Sequence, residues 1–350
     1  MWVLHESFQQ VVQVAWGSAE SNHPIFNVLL KLKNVKRALR SWNKETFGNI
    51  FEQVKQVEHS ADIESKLQVT DISVDLDSNL YNQFSVATNN LRKLKLIMEE
   101  IYWKQKARIS WLEEGDRNTR FFHASAIERQ RKAAIKSIEL DSGHRLEEIS
   151  EIKEVASEFF QVVFKAENSS LDPALLDVIP NLISPEMNDR LLSPPSLLKV
   201  KQVVLAISID VAPGSNSFPG SFFASCWDVI GNDLLKAATF LFQGGNLPRA
   251  ISTTLIYLAL KSTTPKKFLD FRPISLCNCL YKILVKIISV RLSEVLPSLI
   301  SLEQGAFVQG RSMVESIALA QEMARELNRK VRGGNIVLKL DMEKAYDRLD

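Results

Sequence analysis

The stretch TLIYLALKSTTPKKFLDFRPI, residues 254–274, decides how the second half of the chain must fold. Apart from Thr254 its first seven residues are apolar and rich in β-formers, a compact run that suits a strand. KSTTPKK then turns the chain, and Phe271-Arg272-Pro273-Ile274 brings it back. The outcome is an antiparallel hairpin with a basic turn and with Lys261 and Arg272 on facing arms. Such a hairpin delivers cations that are distant in sequence to one anion, and arginine suits bidentate phosphate contact. The same two residues also read as solvated charges on a β-turn.

The pattern on either side of the hairpin is helical. Downstream, Leu276, Leu280, Ile283, Leu284 and Ile287 share one face of a helix expected over 275–296. A glycine-punctuated loop over 303–311 and a helix over 313–329 follow. Gly333-Gly334 then launches a terminal strand, Ile336-Val337-Leu338, which delivers the isolated acid Asp341. Upstream, a helix over 197–209 runs into the turn Ala212-Pro213-Gly214-Ser215-Asn216-Ser217. The next helix, over 221–242, stops at Gly244-Gly245 with Pro248 beyond, and its Phe222, Phe223 and Trp227 read as core. Residues 168–195 are rich in Ser and Pro and form the clearest domain boundary, a loop with a short amphipathic turn or two. Before them, Ile138-Glu139-Leu140 and Arg145-Leu146 flank Asp141-Ser142-Gly143 as a short hairpin, followed by a helix over 152–164.

The first third reads as helix. Leu29, Leu30, Leu32, Val35, Leu39 and Trp42 recur at helical spacing over 27–51, and Leu80, Phe84, Leu91, Leu94 and Ile97 do so over 77–109. These two segments suit an antiparallel helical hairpin whose turn is the polar stretch 60–75. The expected organisation is therefore α+β: a helical region over 1–135, a connector over 136–195, and a third segment over 196–350.

Composition narrows the function classes. At 350 residues, 45% hydrophobic and 24% charged, the chain can bury the cores of two or three domains. A net charge of +2 means that any nucleic-acid footprint is local. Residues 91–136 hold twelve Lys and Arg against six Asp and Glu, interleaved with Tyr102, Trp103, Trp111, Phe121, Phe122 and His123. Cations grip phosphates and aromatic faces stack on unpaired bases, so the mixture suits single-stranded nucleic acid. A solvated helix with buried aromatics has the same composition. Cys226, Cys277 and Cys279 offer no disulfide framework and no zinc set, which points to a reducing, intracellular compartment. No signal peptide and no membrane-spanning run stands out, and no nuclear signal does either, although a nuclear protein would fit this composition.

Several blocks together carry a resemblance. APGSNSFPGSFFASCW, the hairpin with its helix through Leu292, LISLEQGAFVQGRSMVESIALAQE and IVLKLDMEKAYDRLD stand in one order between 212 and 350. Their order and spacing resemble the polymerase domain of plant non-LTR (long interspersed) retrotransposon reverse transcriptases. WLEEGDRNTRFFHASA, residues 111–126, is similar to the segment that links endonuclease and polymerase in such elements. The resemblance covers nearly the whole chain and implies an incomplete fingers–palm domain over 196–350 that ends in motif A.

What the resemblance implies is specific. The reaction would be RNA-directed DNA synthesis, with an RNA template, a DNA primer and deoxynucleoside triphosphates as partners, and no membrane. Asp341 would be the catalytic motif A metal ligand, with the Met342 carbonyl beside it, binding Mg²⁺ or Mn²⁺. Two such hard cations activate the primer hydroxyl and stabilise the leaving pyrophosphate. Tyr346 would pack under the incoming sugar and exclude a 2′-hydroxyl. Lys261 and Arg272 would neutralise the triphosphate. Gln304, Phe307, Gly310 and Arg311 match the block that lies against the template, where glycine permits close backbone approach and arginine meets phosphate.

Bare readings remain beside these. An Asp after an apolar strand is commonly a helix cap, and a Gly-rich loop also serves as a connector. Two departures from the family pattern are visible. Ser215-Asn216-Ser217 replaces the usual Pro-Asp-Gly region, and Ala259-Leu260-Lys261 replaces Ile-Pro-Lys. The second acidic motif would lie beyond Asp350, so this polypeptide alone is expected to be an inactive fragment. The alternatives are a non-catalytic single-stranded nucleic-acid-binding module and a helical interaction protein.

Overall fold

The computed structural model describes residues 2–46, 102–103, 106, 119–165, 180–207, 213–214, 218–262, 264–327, 335–338 and 340. The chain divides into two compact units, Met1–Ile135 with Phe222–Asp233, and Lys136–Ser221 with Leu234–Asp350. The described residues are mostly helical, with two two-stranded antiparallel sheets, the α+β mixture expected.

In the first unit, helix Phe8–Gly17 packs on helix Pro24–Thr46. Phe8, Val12, Ala15 and Trp16 fall on one stripe of the first, and Val28, Leu32, Val35, Leu39 and Trp42 on one stripe of the second, and all are buried. The longer helix begins three residues ahead of the expected start, with Pro24 as its first residue, where a missing N–H costs nothing. Leu30 was expected on the buried face but is 37% exposed. The indole N–H of Trp42 donates to Ser7 Oγ (3.0 Å) and that of Trp2 to Asn43 Oδ1 (2.7 Å). The segment 77–109 and its proposed turn fall almost entirely outside the described residues.

Residues 222–233 add Phe222, Phe223, Cys226, Trp227 and Ile230 to the buried set, in agreement with their reading as core. The single helix expected over 221–242 is two helices, Gly220–Ser225 and Trp227–Phe242. Only one residue separates them. Cys226 N–H donates to the Phe222 carbonyl (2.9 Å) and its own carbonyl accepts from Ile230 (3.1 Å), so the hydrogen-bond ladder runs through the interruption.

The same unit holds a buried polar network. Asp233 Oδ2 accepts from Lys31 Nζ and from the Trp16 indole N–H, both at 2.8 Å, while Oδ1 accepts from Asn27 Nδ2 at 3.4 Å. Asp233, Lys31 and Asn27 are all buried. A buried charge is tolerated when a counter-charge and hydrogen bonds replace its water, and for Asp233 the Lys31 ammonium with two further donors does so.

The second unit is organised around helix Cys279–Leu299, which packs on helices Leu197–Ala206, Pro185–Leu192 and Arg249–Ser252. Leu280, Ile283, Leu284 and Ile287 are buried, as are Val200, Val203 and Val204 of its neighbour. Ser184 and Ser196 cap their helices, accepting from Met187 N–H (3.2 Å) and Lys199 N–H (3.4 Å). Helix Cys279–Leu299 starts later than its apolar pattern suggested, because Ser275 and Leu276 belong to a strand. Buried Arg291 on this helix donates to the carbonyls of Leu191 (2.8 Å) and Ser193, with its guanidinium 4.2 Å from the centroid of the Phe242 ring.

Strands β1 (Ile138–Glu139) and β2 (Arg145–Leu146) pair as expected, with Gly143 at φ +80° in the turn. Strands β3 (Leu255–Leu260) and β4 (Phe271–Leu276) form the second hairpin over six residue pairs. The terminal strand does not form. Ile336, Val337 and Leu338 have no regular structure and are 67–85% exposed. A strand needs a ladder partner, and none of the described residues provides one.

Candidate nucleotide and template site

The register of β3 and β4 places the two hairpin cations. Ala259 opposes Arg272 and Leu260 opposes Phe271. The Lys261 N–H donates to the Asp270 carbonyl (2.9 Å), which carries the ladder one residue further. Side chains alternate across a strand, so Arg272, Ala259 and Lys261 share one face. Arg272 and Lys261 are diagonal neighbours there, roughly 7–8 Å apart as such pairs are. Phe271 points to the other face and is 2% exposed, while Lys261 and Arg272 are both exposed. The guanidinium of Arg272 makes no hydrogen bond or ion pair with any described residue, and Lys261 Nζ donates to the Leu269 carbonyl (2.9 Å).

The basic turn between these strands is anchored, not loose. The Asp270 carboxylate accepts from the backbone N–H groups of Lys266 (2.8 Å) and Lys267 (2.9 Å). Those bonds, with weaker help from Lys261 and Lys267, hold its carboxyl below the usual aspartate range. Lys267 Nζ contacts Asp141 at 2.8 Å, and that partner holds the ammonium above its usual range. Glu139 N–H donates to the Lys266 carbonyl (2.8 Å), which ties β1 to the turn. Phe268 beneath the turn is buried and stacks on Phe159 with ring centroids 5.3 Å apart. One exposed ion pair contributes little; the buried ring and paired backbone fix the turn.

Gly214, in the Ala-Pro-Gly stretch, lies against the residues that follow β4. A Cβ there would sit 2.4 Å from the Cys277 carbonyl carbon and 2.6 Å from Asn278 N. Only glycine permits that approach. Asn278 is 1% exposed and donates from Nδ2 to the carbonyls of Ala250 (3.2 Å) and Ile251 (3.1 Å). Ser215, Asn216 and Ser217 lie outside the described residues.

The loop over 301–311 carries the four residues matched to the template block. Gln304 and Phe307 are exposed, Gly310 adopts φ +83°, and Arg311 is half-buried. Arg311 Nη1 donates to the carbonyls of Ser301 and Gln304 (3.1 Å), and Nη2 to those of Pro297 (3.2 Å) and Ile300 (2.8 Å). Its guanidinium therefore closes the carboxyl end of helix Cys279–Leu299, where carbonyls lack helical partners. Spacing showed that Arg311 sits in a loop, but gave no sign of this internal work.

Asp341, Met342 and Tyr346 lie outside the described residues. Among the described residues, no group of three or more His, Cys, Asp and Glu is placed to hold a metal ion. The described part of the chain offers cations for a polyphosphate, and no metal-ligand set, so no chemical step through a metal follows from it. No helix among the described residues is long and apolar enough to cross a membrane.

Residues 264–350 match the family model for reverse transcriptase (RNA-dependent DNA polymerase), so the stretch from the basic turn onward is similar to that family. Family members of this kind generally use divalent metal ions, nucleic-acid templates and nucleotides. The chain is also 30% identical over 247 residues to the Transposon TX1 uncharacterized 149 kDa protein of Xenopus laevis. That alignment takes in 70% of this chain and 19% of the relative, so the chain spans about a fifth of that protein's length.

Proposed function

We propose that residues 196–350 are the fingers and the first part of the palm of an RNA-directed DNA polymerase from a plant-type non-LTR retrotransposon, preceded by helices that follow an endonuclease. The observation that carries the reading is the shared outward face of Lys261 and Arg272 on an anchored hairpin whose returning strand lies in the segment similar to reverse transcriptases. Arg272 presents a planar, permanently charged fork to solvent, suited to the oxygens of an incoming triphosphate. Lys261 adds a second cation on the same face. Asp341 would hold the catalytic Mg²⁺ with the Met342 carbonyl, and Tyr346 would select a deoxyribose. The protein works in a reducing compartment of the cell, the nucleus included.

Deoxynucleoside triphosphate binding to the 1–350 polypeptide tests the hairpin assignment. Arg272→Ala is expected to weaken binding at least ten-fold, whereas Lys153→Ala, an exposed cation on helix Ile149–Val163, leaves it unchanged. Equal loss in both variants would refute it. The same polypeptide is expected to extend no primer on an RNA template with Mg²⁺, since Asp341 is the one metal-binding side chain the resemblance assigns to it. Extension that disappears with Asp341→Ala would reverse that expectation.

A second reading has its own support. Lys106 Nζ lies 4.7 Å from the Tyr102 ring centroid and 5.5 Å from that of Trp103, and Trp103 packs edge-on against His123. Cations over aromatic rings suit a single-stranded nucleic-acid surface without catalysis. A salt-sensitive shift of single-stranded RNA that survives Arg272→Ala but not Trp103→Ala would favour it.

A further inference from the structure

Helix Pro24–Thr46 carries a line of cations on the side away from its core. At roughly 3.6 residues per turn, Lys33, Arg37, Arg40 and Lys44 fall within an arc of about 60°, and Lys36 flanks them. At 1.5 Å per residue the line is about 16 Å long. The buried stripe of Val28, Leu32, Val35, Leu39 and Trp42 lies on the opposite side. Lys33, Arg37, Arg40 and Lys44 are exposed and make no hydrogen bond or ion pair with any described residue. Like charges three or four residues apart destabilise a helix. This face holds five such pairs: Lys33–Lys36, Lys33–Arg37, Lys36–Arg40, Arg37–Arg40 and Arg40–Lys44. A face adapted only to water interleaves acids among its cations. Here the helix has a single acid, Glu45, which lies off the line and accepts from Ser41 (3.0 Å). Helix Phe8–Gly17, packed beside it, has none.

From this geometry we propose that the cation line is a docking face for the phosphate backbone of double-stranded DNA, gripped without regard to sequence. The inference stands apart from the polymerase reading. Charge complementarity calls for a polyanion, and duplex DNA presents about one negative charge per 1.7 Å of its axis, a regular row that the line can follow. Single strands are held on aromatic faces as well as cations, and no exposed aromatic residue lies between Lys33 and Lys44. Duplex RNA is recognised through 2′-hydroxyls in addition to phosphates. The neutral polar side chains of this stretch are turned to protein partners: Asn34 Nδ2 donates to Ser18 Oγ (3.3 Å), Ser41 Oγ to Glu45, and Asn43 Oδ1 accepts from the Trp2 indole (2.7 Å). The cations are left for the ligand, and phosphate contacts carry no sequence information.

The test is fluorescence anisotropy of a labelled random-sequence DNA duplex with the 1–350 polypeptide over a range of salt. Four phosphate contacts contribute a slope of about −3.6 in log affinity against log salt. Between 50 and 200 mM salt the native polypeptide should therefore lose about 150-fold more affinity than the variant Lys33→Gln, Arg37→Gln, Arg40→Gln, Lys44→Gln. A control variant, Lys153→Gln, Lys199→Gln, Lys201→Gln, Lys286→Gln, makes the same change of net charge at exposed sites on other helices and should keep the native slope. Duplex DNA should also slow amide exchange in helix Pro24–Thr46 of the native polypeptide and not of the stripe variant. The stripe variant should melt no lower than the native chain, since its like-charge pairs are gone. Equal slopes in the native and stripe-variant polypeptides, equal loss in the control, or a lower melting point in the stripe variant overturns the proposal. So does stripe-dependent binding of single-stranded DNA, duplex RNA or phosphatidylserine vesicles that matches or exceeds that of duplex DNA. Deoxynucleoside triphosphate binding should survive in the stripe variant, so failure here leaves the hairpin assignment to its own test.

Discussion

Asp233→Ala removes the common acceptor of three buried donors. It leaves the Lys31 ammonium, 8% exposed at its side chain, without a counter-charge, and the Trp16 indole N–H and Asn27 amide without an acceptor. Breaking a buried pair by deleting one partner costs about 3–5 kcal/mol. Amide exchange measures this without needing a single unfolding transition for the whole chain. The slowest amides of helices Phe8–Gly17 and Pro24–Thr46 should exchange roughly 150- to 5,000-fold faster in the variant. The double variant Asp233→Leu with Lys31→Met removes both charges and should recover most of the loss, since apolar replacement of a buried pair is commonly neutral or stabilising. An acceleration below about five-fold in Asp233→Ala would refute the reasoning, because it would mean that water or movement satisfies the ammonium at little cost. A double variant as unstable as the single one would show that lost packing, not an orphaned charge, dominates.

Gly214→Ala is expected to destabilise the chain by about 1–3 kcal/mol, read as a lower melting temperature, because the added carbon meets the Cys277–Asn278 backbone and not a flexible side chain. The basic turn should loosen in acid. Asp270 has its pKa lowered on folding, so its contribution is fully present above the ordinary aspartate value of 3.8 and fades as pH falls through the folded value. Exchange of the Lys266 and Lys267 amides should rise in that acid window, and Asp270→Asn should remove the pH dependence. Burial pushes the Cys226 thiol up to about 12 and that of Cys279 up to about 11. Iodoacetamide at mildly alkaline pH should therefore label half-exposed Cys277 and spare the other two until the chain is unfolded, as mass spectrometry would show.

Local chemistry made much of this fold legible. The 254–274 stretch carried its own strand, turn and return, so a hairpin with Lys261 and Arg272 on facing arms was legible, whereas their common face came with the register. The Asp141-Ser142-Gly143 turn and the apolar face of helix Cys279–Leu299 were equally plain. Helix Phe8–Gly17 went unread, because only four of its ten residues are buried and exposed Val14 blurs the stripe. The strand expected at Ile336-Val337-Leu338 failed for the opposite reason: the propensity is present, but a strand is a property of two segments, and propensity says nothing about the second. The roles of Asp233 and Arg311 were hidden in the same way. Each acts through partners far away in sequence or through backbone carbonyls, neither of which leaves a mark on residue spacing.

The membership of residues 222–233 in the N-terminal unit bears on how the gene can be cut. A polypeptide started at residue 136 would keep Asp233 but discard Trp16, Asn27 and Lys31, stranding a carboxylate designed for enclosure and uncovering Phe222, Phe223 and Ile230. A linear boundary on the map is thus not a seam in the molecule. Fusion partners and truncations that respect this chain begin ahead of Phe8, with both leading helices retained.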